Sequence, residues 1–147
     1  MGSTYLSLHY HIVFSTKERR SFIKDSWRSK MHEYLGGTVR GLGGIPECVG
    51  GVADHVHLLV GLKATHCLAD FVRELKKASS VWIIDHHDTY FRWQEGYSAF
   101  TVSHTHRDPV KGYIAGQEEH PRTLSFVDEL KQLLRRNGVE YDPKYFV

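Results

Sequence analysis

A chain of 147 residues, 41% apolar and 24% charged, can bury a core without disulfide or metal staples and is unlike a disordered polypeptide. No run approaches the roughly 18 apolar residues of a membrane span, and the start, MGSTYLSLHYHIVF, lacks the basic segment and small-residue cleavage site of a signal peptide, so a cytoplasmic protein is expected. The net charge of +2 is too small to argue for nucleic acid by itself, and Cys48 and Cys67 stand too far apart for a cysteine metal cluster and read as reduced thiols.

TYLSLHYHIVFST alternates, with Leu6, Leu8, Tyr10, Ile12 and Phe14 of one parity and Ser7, His9 and His11 of the other, the period of a half-buried strand. RSFIKDSWRSKMHEYLGG follows with Phe22, Ile23, Trp27, Met31, Tyr34 and Leu35 at helical spacing, and Gly36 and Gly37 are expected to stop that helix. Residues 36 to 51 hold seven glycines, read as turn residues around a second strand near Ile45 to Val49. A third strand spans Val52 to Leu62. THCLADFVRELKKASSVWII reads as a second helix with Thr65 as N-cap and Leu68, Phe71, Val72, Leu75 and Val81 on one face. FRWQEGYSAFTVS returns to strand composition, and DPVKGYIAGQEEH opens a helix with Asp108 as N-cap and Pro109 at the first helical position. A last amphipathic helix runs from about Phe126 to Arg136 and ends at Asn137 and Gly138.

This order predicts an α+β fold: a ferredoxin-like, split βαβ (RRM-like) antiparallel sheet with helices on one face and a C-terminal helical extension. The chain reads as one domain over residues 1–147, with the sheet core at about 3–103 and the last helices at about 108–137. Lys17, Arg19, Arg20, Lys24, Arg28 and Lys30 face only Glu18 and Asp25, and Lys76 and Lys77 add a second cluster. Such patches either track phosphates or form a solvated face.

The segment VADHVHLLVGL carries the chemistry. In a strand, His55 and His57 point the same way while Val56, Leu58 and Val60 face the opposite side, so two imidazoles converge on one spot. Eleven histidines placed at random would give about one such pair, and there are three, His9 with His11, His55 with His57 and His104 with His106. Only the pair at 55 and 57 lies in a strongly apolar strand, where unpartnered imidazoles are costly to bury. Asp54 either orients a ligating histidine or is a turn residue, and His9 and His11 either approach the site, where they could contact DNA, or line an exposed strand face.

DHVHLLV resembles the histidine-hydrophobe-histidine motif of the HUH nucleases. With YHIVFSTKERR, FVRELKKASS, WQEGYSAFTVS and VKGYIAGQEEHPRTLSFVDELKQLLRRNGVEYDPKYF in order, the chain resembles the single-tyrosine HUH transposases of bacterial insertion sequences, the TnpA type and its REP-associated relatives. Tyr113 and Gln117 are four apart on the expected helix and so share a face. The resemblance implies that Tyr113 attacks DNA and that His55, His57 and Gln117 hold a divalent metal, magnesium or manganese. It also implies cleavage and rejoining of single-stranded DNA, with hairpin element ends among the candidate substrates, through a 5′-phosphotyrosine, by a homodimer whose tyrosine helix can serve the partner's site. Gly112 and Gly116, each unfavourable in a helix, then mark either close backbone approach or a helix that moves. Arg73, Lys76, Lys77, Arg19 and Arg20 are candidates for DNA phosphate contacts. Pro121 after His120 is a small departure from the family pattern. Two other readings stand: a non-catalytic RNA or single-stranded DNA-binding module stacking bases on Trp93 and Tyr97, or a metal-dependent hydrolase using a metal-bound water.

Overall fold

A computed structural model describes residues 2–119 and 124–145; Pro121 and His120 lie outside the described residues. The elements are β1 (His9–Ser15), α1 (Asp25–Gly41), β2 (Ile45–Gly51), β3 (His55–Gly61), α2 (Leu68–His86), β4 (Ser98–Val102), α3 (Arg107–Ala115) and α4 (Phe126–Arg136), with short 3₁₀ turns at Lys17–Arg19, His104–His106 and Pro143–Tyr145. The four strands form one antiparallel sheet in the order β2-β3-β1-β4, the ferredoxin-like arrangement expected from the element order.

Side-chain alternation assigns the two faces. Ile12 and Phe14 of β1 and Val56, Leu58 and Val60 of β3 form the main core with Met31, Leu35 and Val39 of α1 and Phe71, Val72 and Leu75 of α2. The odd-numbered residues of β1 and β3, with the even-numbered Phe100 and Val102 of β4 paired opposite His11 and His9, face the other way. There Val13 and Phe100 pack on Phe126, Leu133 and Leu134 of α4, while Leu59 and Val102 pack on Ile114 of α3. All seven residues of β3 are therefore buried. Among the described residues no helix is long and apolar enough to cross a membrane.

Several boundaries differ from expectation. β1 starts at His9, because the antiparallel partners β3 and β4 end opposite it at Gly61 and Val102. α1 begins after Phe22 and Ile23 and runs through Gly36 and Gly37 to Gly41. The two glycines cost about 1 kcal/mol each, but continuing the helix brings Val39 to full burial, worth roughly 1.5–3 kcal/mol. Turn chemistry accounts for Gly43, with φ +85°, but Gly36, Gly37 and Gly41 are helical and Gly50 and Gly51 lie in β2. Cys67, not Thr65, occupies the N-cap position of α2, and Val81 faces solvent while Ser79 and Ile83 continue the buried stripe. α3 starts one residue before Asp108, with His106 at its N-cap, so Asp108 sits in the first turn, where its charge favours the helix dipole. The expected fourth helix, Phe126–Arg136 with Asn137 beyond it, is observed.

Gly50 places α3 on the sheet. A Cβ there would lie 2.3 Å from the Ile114 carbonyl oxygen, so only glycine lets the end of α3 rest on β2. Gly50→Ala must push backbone away from backbone. We expect it to lower stability by about 2–4 kcal/mol in urea unfolding, and a loss below about 0.5 kcal/mol would show that α3 is not seated this way.

Candidate active site

His55 and His57 stand side by side on the odd face of β3, ring centroids 5.0 Å apart and both almost fully buried. Each ring is fixed through its Nδ1. The Asp54 carboxylate lies 2.7 Å from His55 Nδ1, and His11 Nε2 lies 2.8 Å from His57 Nδ1. Asp54 thus orients His55, as one of its two sequence readings has it. His11 is neither exposed nor a surface strand residue: it is 5% exposed, because β1 pairs with β3 and lays Val13 opposite His57. His9 has turned to the Glu47 carboxylate, 2.8 Å away.

With both Nδ1 atoms engaged, both Nε2 atoms point at the same place. Gln117 Oε1 lies 3.3 Å from His55 Nε2, and Glu129 Oε1 lies 2.9 Å from His57 Nε2 and 3.6 Å from His55 Nε2. The Tyr113 hydroxyl donates to that same Glu129 oxygen at 2.7 Å. α3 ends at Ala115, so Gln117 lies in the turn beyond it, its backbone N–H donating to the Ile114 carbonyl, and it still reaches the histidines. Tyr113 and Gln117 are thus brought to the histidines together, by a tighter turn than a continued helix.

Sequence reasoning missed Glu129. The signal was present: α4 buries Phe126, Leu133 and Leu134, and Glu129 is the one acidic residue on that buried stripe, three after Phe126 and four before Leu133. An acid on the apolar side of so amphipathic a helix needs a partner. Ser125 starts α4 by accepting from the Asp128 backbone N–H at 3.2 Å, which sets the rotation that turns Glu129 inward.

The electrostatics call for a cation. Burial would raise the Glu129 carboxyl, but hydrogen bonds from His55, His57 and Tyr113 hold it far below the usual carboxylate range. Burial opposes charge on His55 too, yet Asp54 and Glu129 outweigh it and raise its pKa. Burial together with His57 lowers His11 to about 3, so it is neutral and can accept from His57 Nδ1–H or donate to Nδ1. If both ligand histidines carry their proton on Nδ1, two imidazole lone pairs, an amide oxygen and a carboxylate face one point, with the Tyr113 hydroxyl donating to the carboxylate. One oxygen of Glu129 and one nitrogen each of His55 and His57 lie within 4.8 Å of one another, a donor set that fits a divalent metal with each imidazole held from behind.

The sequence profile of the family described as IS200-like transposases matches residues 4–117. The chain belongs to the IS200-like transposase family. A transposase-assigned protein of Deinococcus radiodurans R1 of known crystal structure is 27% identical, with a TM-score of 0.65 over 80% of this chain and 96% of that one. A REP-associated tyrosine transposase bound to a REP hairpin shares the fold at 13% identity, with a TM-score of 0.58 over 79% of this chain and 70% of that one. No curated protein matches the chain.

The remaining candidates of this transposase are more scattered. Arg73, Lys76 and Lys77 lie on α2, in the layer on the opposite side of the sheet from the histidines. Arg73 is paired with Asp70 and Glu74, and Lys77 is exposed. The Lys76 ammonium donates to the Gln94 and Gly96 carbonyls at 2.6 and 2.9 Å, so it fastens the loop before β4. Arg19 and Arg20 occupy the turn after β1, where Arg20 pairs with Glu18 at 3.0 Å. Trp93 is no stacking platform: its indole N–H donates to Ser79 Oγ at 3.0 Å and its ring packs edge-on against Phe14 and Phe91. Tyr97 is partly exposed. A Cβ at Gly112 would meet nothing within 4 Å, so close packing inside the chain does not explain that glycine.

Proposed function

We propose that the chain cleaves and rejoins single-stranded DNA at insertion-sequence ends through a 5′-phosphotyrosine on Tyr113. The observation that carries the reading is the shared carboxylate: Glu129 Oε1 touches both the Tyr113 hydroxyl and His57 Nε2, so nucleophile and metal-ligand candidates meet within one chain.

His55, His57, Gln117 and Glu129 would hold a divalent cation, whose charge stabilises the scissile phosphate as negative charge develops on it. Two imidazoles favour manganese, and the two oxygen ligands also admit magnesium. Glu129 holds the Tyr113 O–H proton toward itself and leaves an oxygen lone pair of the phenol for attack on phosphorus. The Tyr113 oxygen–phosphorus bond forms as the bond from phosphorus to the 3′ oxygen breaks; the phenol gives up its proton and the departing 3′ oxygen gains one. Attack by a 3′ hydroxyl on the phosphotyrosine reverses the exchange, and no nucleotide cofactor is required because one phosphodiester replaces another. A hairpin-bound neighbour of the same fold supports DNA as the partner. A homodimer whose tyrosine helix is able to serve the partner's site as well as its own, implied by the family, belongs to this proposal too.

The test is incubation of wild type and Tyr113→Phe with end-labelled single-stranded DNA of the element ends and manganese or magnesium, followed by denaturing electrophoresis. Wild type should yield a denaturation-resistant adduct and the variant none. An adduct in the variant would assign the attack to another side chain, and cleavage by wild type with no adduct would sink the assignment in favour of a metal-bound water.

A further inference from the structure

The turn between β1 and α1 is strained. Glu18 and Arg19 both have φ of 56°, a left-handed conformation uncommon for residues other than glycine and rarer still in succession. It is held from below. The Lys17 N–H donates to the Arg92 carbonyl and the Glu18 N–H to Gln94 Oε1, both at 2.9 Å, while Thr16 Oγ1 donates to the Arg20 carbonyl. Strain kept in place by several bonds is a mark of function.

These bonds gather Lys17, Arg20, Arg92, Phe22 and Tyr90 around a cavity of about 280 Å³, with Glu18 its one acidic member. Phe22 is anchored against Phe91, ring centroids 5.5 Å apart. Tyr90 is 81% exposed, and its backbone N–H donates to Asp88 Oδ1 at 2.9 Å, which fixes the turn that presents it. Three cations, of which Arg20 is paired with Glu18 at 3.0 Å and Arg92 donates to the Phe91 carbonyl at 2.6 Å, stand beside an exposed aromatic ring, a composition that grips an unstacked nucleotide with phosphate on the cations and base on the ring.

The position also suits a DNA strand. The Thr16 N–H donates to the Asp54 carbonyl at 2.9 Å, and the Asp54 carboxylate holds His55. The pocket therefore adjoins the end of the sheet at which β3 enters the active site, with Ser15 of β1 opposite His55.

We propose that this pocket binds one unstacked nucleotide of the single-stranded DNA, its base against Tyr90 and its phosphate on Lys17, Arg20 and Arg92. The inference rests on the reading of single-stranded DNA as substrate. Stacking supplies the preference for single strands, since a paired base offers no free face, and the cations supply salt dependence.

The full chain, Tyr90→Ala and Lys17→Ala are titrated into an oligothymidylate with one central 2-aminopurine, single-stranded or paired with its complement. Wild type should quench the fluorophore of the single strand. Tyr90→Ala should abolish the quench and weaken single-strand affinity about tenfold, leaving duplex affinity unchanged, and Lys17→Ala should lower the slope of affinity against salt by about one contact. Single-strand affinity within about twofold of wild type in Tyr90→Ala, or equal loss for duplex and single strand, overturns the proposal. The two readings fail separately: a Tyr90 effect without any wild-type adduct removes the phosphotyrosine and keeps the pocket, while an adduct with a silent Tyr90 removes the pocket alone.

Discussion

His57→Ala is expected to lower strand cleavage by at least about a thousandfold while single-stranded DNA affinity stays within about threefold of wild type. The substitution removes one of two buried imidazoles whose Nε2 atoms converge, and it leaves His11 facing a void where its 2.8 Å partner stood. A cation held by the remaining donors would lose a nitrogen that no neighbour replaces. Asp54→Ala should be milder, about 10–100-fold in metal affinity, because it leaves both ligands in place and removes only the carboxylate behind His55. Calorimetric titration of manganese and adduct yield report the two effects. Equal loss of cleavage and DNA binding in His57→Ala, with metal affinity retained, would assign the histidine a structural role.

Glu129→Leu should abolish adduct formation and change how the metal-free protein responds to acid. The carboxylate accepts from Tyr113 and faces His57, so its removal takes one partner from the half-buried tyrosine hydroxyl and one from the buried imidazole, at up to about 1–3 kcal/mol each, against which leucine gains some apolar burial. The sign of the pH effect follows from the depressed carboxyl. Its contribution to stability is complete above the ordinary carboxylate value of 4.5 and is lost as pH falls below that toward the folded-state value. Urea unfolding of the metal-free chain should therefore show wild type losing stability more steeply than Glu129→Leu below pH 4.5. Parallel curves, or a variant that forms adduct normally, would mean that the carboxylate only fills space.

How far the sequence carried this reading depends on which residues one asks about. The alternation around His55 and His57 was enough to put both imidazoles on one face, because a two-residue period fixes direction whatever the strand packs against. Tyr113 and Gln117 were legible by spacing and by likeness to the family, although Gln117 arrives through a turn after Ala115. Glu129 and His11 were not, for a shared reason: each reaches the site only because a distant element is laid over the sheet, α4 for one and β1 for the other. Local pattern marks Glu129 as odd but cannot name its partner across 72 positions. The helix boundaries failed where tertiary burial outweighed propensity, as at Gly36 and Gly37, whose cost is offset by Val39 beyond them.

The two halves of the site differ in what must break to free them. His55, His57 and His11 sit on β3 and β1, the interior strands, each bonded along both edges. Local opening there has to tear the sheet, so its free energy approaches that of global unfolding. Tyr113 rides on a nine-residue helix held to the sheet through Ile114, a contact of Cys48 with the Lys111 carbonyl and the Arg107–Glu47 ion pair, and to α4 through the Glu129 bond. Lifting that segment breaks no bond of the strand ladder. The chain is thus built as a stiff sheet that carries the three histidines and a separately seated segment that carries Tyr113 and Gln117, able to give up the second conformationally while the first keeps its fold.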